Sequence, residues 1–256
     1  MGIATKTRTS TSISDFYDLL RYERWRFPVK KFYRPAVENK RGIEVGGPSP
    51  VFKTSLPLYQ FVGELDGVNF ASDTVWEGHI EKGARFKHSD DALGMQFIAD
   101  ATDLNHVPTA AYDFVFSSNC LEHVANPIKA LHEWRRVMKS RGFLVLVLPN
   151  RKFNFDHRRQ VTSFDHLVQD FTQDTAEDDL THLAEILEFH DLSLDPPAGS
   201  LAQFKERSLR NFENRTLHHH VFDVPLMKRM LNYAQFEVLH TARTKSDLFA
   251  LARSND

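Results

Sequence analysis

Three carboxylates follow short apolar runs along the first hundred residues: Glu44 in Glu44-Val-Gly46-Gly47-Pro48-Ser49, then Asp66, then Asp100 in Asp100-Ala-Thr-Asp103. A glycine turn after a strand lets backbone approach a ligand, and a carboxylate about 20 positions on can accept both hydroxyls of a ribose. Three such edges in series are the parts of a mononucleotide site. A second group of reactive side chains lies later, in Phe155-Asp-His-Arg-Arg159 and Leu217-His-His-His-Val-Phe-Asp223. Their imidazoles titrate near neutral pH and suit proton abstraction, with His157 and His219 the candidate bases. Arg158 and Arg159 could clamp a phosphate or carboxylate. The same region offers a competing use: Asp178 and His182, spaced four apart as on one helical face, with Asp156, His157 and His219 to complete a mixed shell for Mg²⁺ or Mn²⁺. His123 reads equally as an orienting or a chemical residue. Cys120 reads as a small buried hydrophobe, because no neighbouring base or metal pattern activates it.

The elements that must position these groups read as an α/β chain. Strands are expected at 42–46, 61–66, 96–100, 111–118 and 142–149, the last two nearly continuous in apolar residues, as in a parallel sheet buried on both faces. Between those two, Asn126 as N-cap, Pro127 at the first helical position and the face Ala130, Leu131, Trp134, Val137, Met138 predict a helix. A helix over 224–234 leads into strands 236–242 and 247–252, whose short connection predicts an antiparallel hairpin. The expected fold is doubly wound α/β, with a mostly parallel seven-stranded sheet, an antiparallel C-terminal hairpin and a helical cap insertion. Residues 1–40 read as a Thr/Ser-rich tail and lid helix, 41–150 with 221–256 as the core, and 151–220 as the inserted cap, which holds seven of the 13 histidines.

At 256 residues, with 41% hydrophobic and 26% charged, the chain is long enough to bury a sizeable core. Its 32 basic and 34 acidic residues give a net charge of −2, which supplies no global field for nucleic acid or an anionic membrane. A single cysteine makes no internal disulfide and fits a reducing compartment. The longest apolar run is too short to span a bilayer and the start lacks a signal-peptide core, so a cytoplasmic protein is expected.

One stretch is more specific than the rest. The run Tyr112-Asp-Phe-Val-Phe-Ser-Ser-Asn-Cys-Leu-Glu-His-Val124, followed by Asn126-Pro127, Ala130-Leu131, Glu133, Arg135-Arg-Val137, Lys139, Gly142 and Leu148-Pro-Asn150, resembles the block between the fourth and fifth strands of class I S-adenosylmethionine-dependent methyltransferases. The resemblance covers roughly 40–150 and 216–253, and the closing hairpin argues against a nicotinamide dehydrogenase. It departs from the family where Pro48 and Pro50 replace the usual second and third turn glycines, more like a Gly-Gly-Pro-Ser variant associated with sugar-modifying and other, uncharacterised bacterial members.

The resemblance implies S-adenosylmethionine as cofactor. Glu44, Gly46 and Gly47 would frame the methionine moiety, Asp66 the ribose, Asp100 and Ala101 the adenine, while Ser117 and Ser118 would face the sulfonium. The chain reads Ser118-Asn-Cys-Leu121 where amino-directed nucleic-acid members carry an Asn/Asp-Pro-Pro-aromatic tetrad, and Cys120 does not follow a proline as the cytosine-carbon nucleophile does. A hydroxyl acceptor remains, and a neutral alcohol needs a base, His157 or His219. The implied activity is O-methylation of a sugar or glycan intermediate, with Arg158 and Arg159 on the acceptor. The alternatives are O- or N-methylation of another small metabolite, RNA methylation through the aromatic and basic strip from Arg21 to Arg41, and a non-catalytic partner subunit. The expected partner is a small-molecule or glycan acceptor.

Overall fold

The structure is a computed structural model that describes residues 28–89 and 93–256. The Thr/Ser-rich tail at 1–12 and most of the expected lid helix lie outside the described residues. Among the described residues there are ten strands: β1 (Arg41–Val45), β2 (Glu64–Asn69), β3 (Asp73–Thr74), β4 (Gly78–His79), β5 (Gly83–Lys87), β6 (Leu93–Ile98), β7 (Tyr112–Ser118), β8 (Met138–Pro149), β9 (Phe236–Arg243) and β10 (Asp247–Ser254). The principal helices are α1 (Pro127–Val137), α2 (Phe164–Gln173), α3 (Leu183–Phe189), α4 (Leu201–Leu209) and α5 (Val224–Tyr233).

Eight strands form one sheet in the order β5-β6-β2-β1-β7-β8-β10-β9, while β3 and β4 make a separate two-stranded ribbon. Strands β6, β2, β1, β7 and β8 run parallel, and β10 is antiparallel to both β8 and β9, as the short connection requires. The eighth strand is β5, antiparallel on the edge beside β6. Its sequence, Gly-Ala-Arg-Phe-Lys, has no apolar run, so the expected count of seven missed it.

Two strands are displaced from their expected positions, with consequences for the site. The second begins at Glu64 where Phe61 was expected, because the Gly63 N–H bonds the Lys40 carbonyl in a turn ahead of it. A Cβ on Gly63 would lie 2.9 Å from the Asn39 carbonyl carbon, so only glycine fits there. Asp66 is therefore paired mid-strand with Ile43. The third ends at Ile98, which leaves Ala99, Asp100 and Ala101 in the loop beyond it.

Each face of the sheet has its own packing. On one, Ile43, Val115 and Leu146 meet Leu131 and Trp134 of α1, Leu167 of α2 and Met227 and Leu231 of α5, all fully buried. On the other, Phe114, Phe116 and Val145 meet Tyr33, Val37 and Phe52 from the N-terminal side. Helix α1 starts as its sequence predicts, with the Asn126 side chain accepting from the Lys129 N–H. Residues 150–223 lie between β8 and α5 and carry α2, α3 and α4, with a small core of Ile186, Ala198, Phe204 and Leu217. Among the described residues, no helix is long and apolar enough to cross a membrane.

Candidate active site

A cavity of about 410 Å³ opens at the carboxyl ends of β1, β2, β6 and β7, where doubly wound sheets bind ligands. Gly46 follows β1 directly, with φ +84°, a conformation that glycine adopts without strain. Its missing side chain is also a packing requirement, since a Cβ there would lie 2.7 Å from Cys120 Cβ and 2.8 Å from its Sγ. The two strand ends thus touch through a glycine and a cysteine. Burial pushes the Cys120 thiol up to about 12, so it packs as a small hydrophobe and holds its proton.

Glu44 is fully buried and braces the turn from below. Its Oε1 accepts from the Ser49 N–H at 3.0 Å and its Oε2 from the Tyr59 hydroxyl at 2.5 Å. Burial raises its carboxyl to about 7. A Cβ on Gly47 would strike that carboxyl group at 2.2 Å. Glu44 thus shapes the turn without lining the cavity, whereas Gly46, Pro48 and Ser49 do line it.

Asp66 corrects the expectation most clearly. Its carboxylate accepts from the Tyr112 hydroxyl at 2.7 Å, the Met95 N–H at 2.8 Å and Arg41 Nη2 at 3.0 Å, all within the sheet. The residue at the end of β2, on the cavity wall, is Asn69, whose Nδ2 donates to the Gly47 carbonyl at 2.9 Å. At the end of β7, Ser118 lines the cavity, while Ser117 is fully buried and absent from the wall.

Asp100 and Ala101 do line the cavity, and both are fixed. Asp100 Oδ1 accepts from the Thr102 N–H and hydroxyl, each at 2.8 Å, and the Ala101 carbonyl accepts from Trp134 Nε1 at 2.9 Å. The inserted region completes this end of the wall. Arg215 Nη2 lies 3.2 Å from Asp100 Oδ2, and Nη1 lies 2.5 Å from Glu177 Oε2. Glu177 Oε1 accepts the Ala125 N–H at 3.1 Å, and burial pushes its carboxyl up to about 7.

His123 also lines the cavity. Its Nδ1 donates to the Leu217 carbonyl at 3.0 Å, which leaves Nε2 with the lone pair. The ring stacks edge-on against Trp76 at 5.1 Å and His218 at 4.6 Å. Burial, reinforced by His218, holds its pKa well below 6.5, so it is neutral at physiological pH. Trp76, on the turn of the β3–β4 ribbon, is 53% exposed and forms part of the same wall.

The expected bases and clamp lie elsewhere. His157 Nε2 bonds Asp191 Oδ2 at 2.9 Å, and Arg158 bonds the same oxygen at 2.8 Å. His219 is buried against Asn211 Nδ2 at 3.0 Å, and burial drops its pKa to about 3. Arg159 is 1% exposed and serves the interior: it bonds Asp156 Oδ1, Glu185 Oε1 and the carbonyls of His218 and His219. His218 in turn lies 2.5 Å from Asp156 Oδ2. Although burial opposes it, His218 and Arg159 hold the Asp156 carboxyl at about 2.

The expected metal shell is likewise dispersed. Asp178 lies in a turn and His182 at the N-cap of α3, so the two do not share a helical face. Asp156, His157 and His219 are engaged separately, and among the described residues these five form no group with coordinating spacing. Asn69, Trp76, Glu177 and Arg215 are cavity residues that the sequence reading missed. Asn69 could have been found from a strand placed three residues later, whereas Glu177 and Arg215 carry no local signal.

Residues 60–146 match the family model described as a methyltransferase domain. No curated protein sequence matches the chain. Among solved structures, an S-adenosylmethionine-dependent methyltransferase from Mesorhizobium loti is similar, with a TM-score of 0.52 and 13% identity over 90% of this chain and 97% of that one. A 1,6-didemethyltoxoflavin-N1-methyltransferase from Burkholderia thailandensis, solved with 1,6-didemethyltoxoflavin and S-adenosylhomocysteine bound, gives a TM-score of 0.46 and 11% identity over 98% and 94% of the two chains. Residues 60–146 thus match a methyltransferase domain, and the chain has the fold of S-adenosylmethionine-dependent methyltransferases.

Proposed function

We propose that the cavity holds S-adenosylmethionine and that the enzyme methylates a hydroxyl of a sugar or glycan intermediate. The residues fit the cofactor on three counts. The volume of about 410 Å³ lies within the range of small-molecule sites. Gly46 lines the cavity at a point where no Cβ fits beside Cys120, and Asp100 is already oriented by Thr102. Gly46 would border the methionine end and Asn69 the ribose, in the place expected of Asp66. Asp100 and Ala101 would border the adenine, and Ser118 the sulfonium. Arg215 and Glu177 would close the adenine end.

When bound, S-adenosylmethionine supplies a methyl group already activated on a sulfonium. The chain's own task is then to align an acceptor oxygen and take its proton. The observation that carries this reading is His123, a neutral imidazole on the cavity wall whose Nδ1 is committed to the Leu217 carbonyl. Its Nε2 accepts the hydroxyl proton, and the bond to Leu217 holds the ring while it does so. The exposed face of Trp76 beside it offers the apolar platform on which a sugar ring stacks. The lone cysteine supports a site of action in the reducing cytoplasm.

A panel of nucleotide sugars and free glycans, incubated with methyl-labelled cofactor, tests the reading. Label in an alkali-stable ether is expected, and His123→Gln should lower kcat by roughly a hundredfold while leaving cofactor affinity nearly unchanged. Label on nitrogen, or full turnover in His123→Gln, would overturn it.

A further inference from the structure

A second cluster of histidines lies behind the cavity wall and takes no part in the proposed chemistry. His166 and Asp170 sit four apart on α2, with Nε2 and Oδ2 separated by 3.3 Å. His166 Nε2 lies 2.9 Å from His182 Nε2, so two ring nitrogens of separate elements face each other. His220 approaches from the segment ahead of α5, its Nε2 3.5 Å from the same Asp170 oxygen. One ring nitrogen from each of the three histidines lies within 4.8 Å of the others.

His166 and His182 bond each other, but two buried atoms of the cluster have no hydrogen-bond partner. The Asp170 side chain is 8% exposed, yet Oδ2 accepts no hydrogen bond. His220 is 1% exposed and donates through Nε2 to the Ala125 carbonyl at 3.1 Å, while its buried Nδ1 has no hydrogen-bond partner. A ring fixed by a backbone carbonyl at one nitrogen, with a lone pair at the other, is the usual state of a metal-bound histidine. Glu185 Oε2 lies 3.8 Å from His182 Nδ1, on the side of the ring away from His166 Nε2.

We propose that His166, His182 and His220, with Asp170, bind a divalent first-row transition metal of the zinc type. Three imidazoles and one carboxylate match zinc in number and softness, whereas Mg²⁺ prefers an all-oxygen shell. The ion would join α2, the N-cap of α3 and the segment before α5, which are distant in sequence. The site reaches the cavity through one residue, because Ala125 accepts from His220 and donates to Glu177. The metal would therefore brace the wall, away from the reacting oxygen. This inference does not depend on which acceptor is methylated.

Its test is metal binding by the full chain. Metal-free protein is titrated with Zn²⁺ against a chromophoric chelator, and with Co²⁺ by visible spectroscopy. One Zn²⁺ per chain and the intense visible bands of four-coordinate Co²⁺ are expected. His182→Ala should weaken Zn²⁺ binding by roughly a hundredfold or more. Asp170→Asn, which preserves size and guards against misfolding in the alanine variant, should weaken it at least about tenfold. His157→Ala and Asp178→Asn should bind as the parent does. Absence of stoichiometric binding, six-coordinate Co²⁺ spectra, or unchanged affinity in both His182→Ala and Asp170→Asn would overturn the proposal.

Discussion

Replacing Gly46 by alanine tests the geometry of the cavity at its tightest point. The new Cβ would sit 2.7 Å from Cys120 Cβ, whereas carbon atoms rest comfortably at about 3.5–4.0 Å, so the turn and the end of β7 must part by about 1 Å. Overpacking of this kind costs about 1–3 kcal/mol. Holding alanine at φ +84° adds about 1–2 kcal/mol. The sum, roughly 2–5 kcal/mol, falls on residues that line the cavity. If 2 kcal/mol of it appears in binding, the Kd for S-adenosylmethionine rises about thirtyfold. Titration calorimetry on Gly46→Ala measures this, with circular dichroism to verify the fold. The two contributions separate in a double-mutant cycle, because Cys120→Gly removes the clash and leaves the backbone strain. The double variant should therefore recover part of the loss and remain about 5- to 30-fold weaker than a Cys120→Gly control. Parental affinity in Gly46→Ala would refute this account of the turn.

Asp66→Asn should lower thermal stability by disturbing its bonds to Tyr112, Arg41 and Met95, and leave cofactor affinity within about twofold; a tenfold loss of affinity with stability intact would return Asp66 to the site. Glu44 carries a pH signature. Burial raises it from the ordinary 4.5 to about 7, so the folded state retains a proton that the unfolded chain has released. Its contribution to stability is thus fully present below about pH 4.5, declines as pH rises to about 7, and is level above. Denaturant titrations should show Glu44→Gln gaining on the parent by about 3 kcal/mol across that window, and parallel curves would contradict the assignment. Arg159→Met should cost about 3–5 kcal/mol by stranding Asp156, while Arg158→Ala should stay within about 0.5 kcal/mol; equal effects would sink the distinction.

The sheet, the hairpin and helix α1 are legible in sequence because each depends on local signals. The apolar run from Phe143 to Leu148, the Asn126-Pro127 cap and the short connection between β9 and β10 decide them within a few residues. Asp66 was misplaced for an equally physical reason. The run Phe61-Val-Gly-Glu-Leu-Asp reads as a strand, but the Gly63 turn against Lys40 delays pairing to Glu64. A three-residue displacement then exchanges a buried carboxylate for Asn69 at the strand's end. The inserted region was hardest to read, because its functional contacts join residues far apart in sequence. Arg215 meets Asp100, His220 meets Asp170, and Arg159 meets the backbone of His218 and His219. No spacing rule distinguishes His157, which binds Asp191, from His123, which lines the cavity; only the tertiary packing does.

The central claim is that the strand-edge cavity holds the methyl donor, and a crystal structure of the full chain with S-adenosylhomocysteine tests it most directly. The account predicts the amino-acid end beside Gly46, the ribose beside Asn69, the adenine between Ala101 and the Asp100–Arg215 pair, and the sulfur on the side of Ser118 and His123. Density for the ligand outside this cavity, or none at saturating concentration, would contradict it.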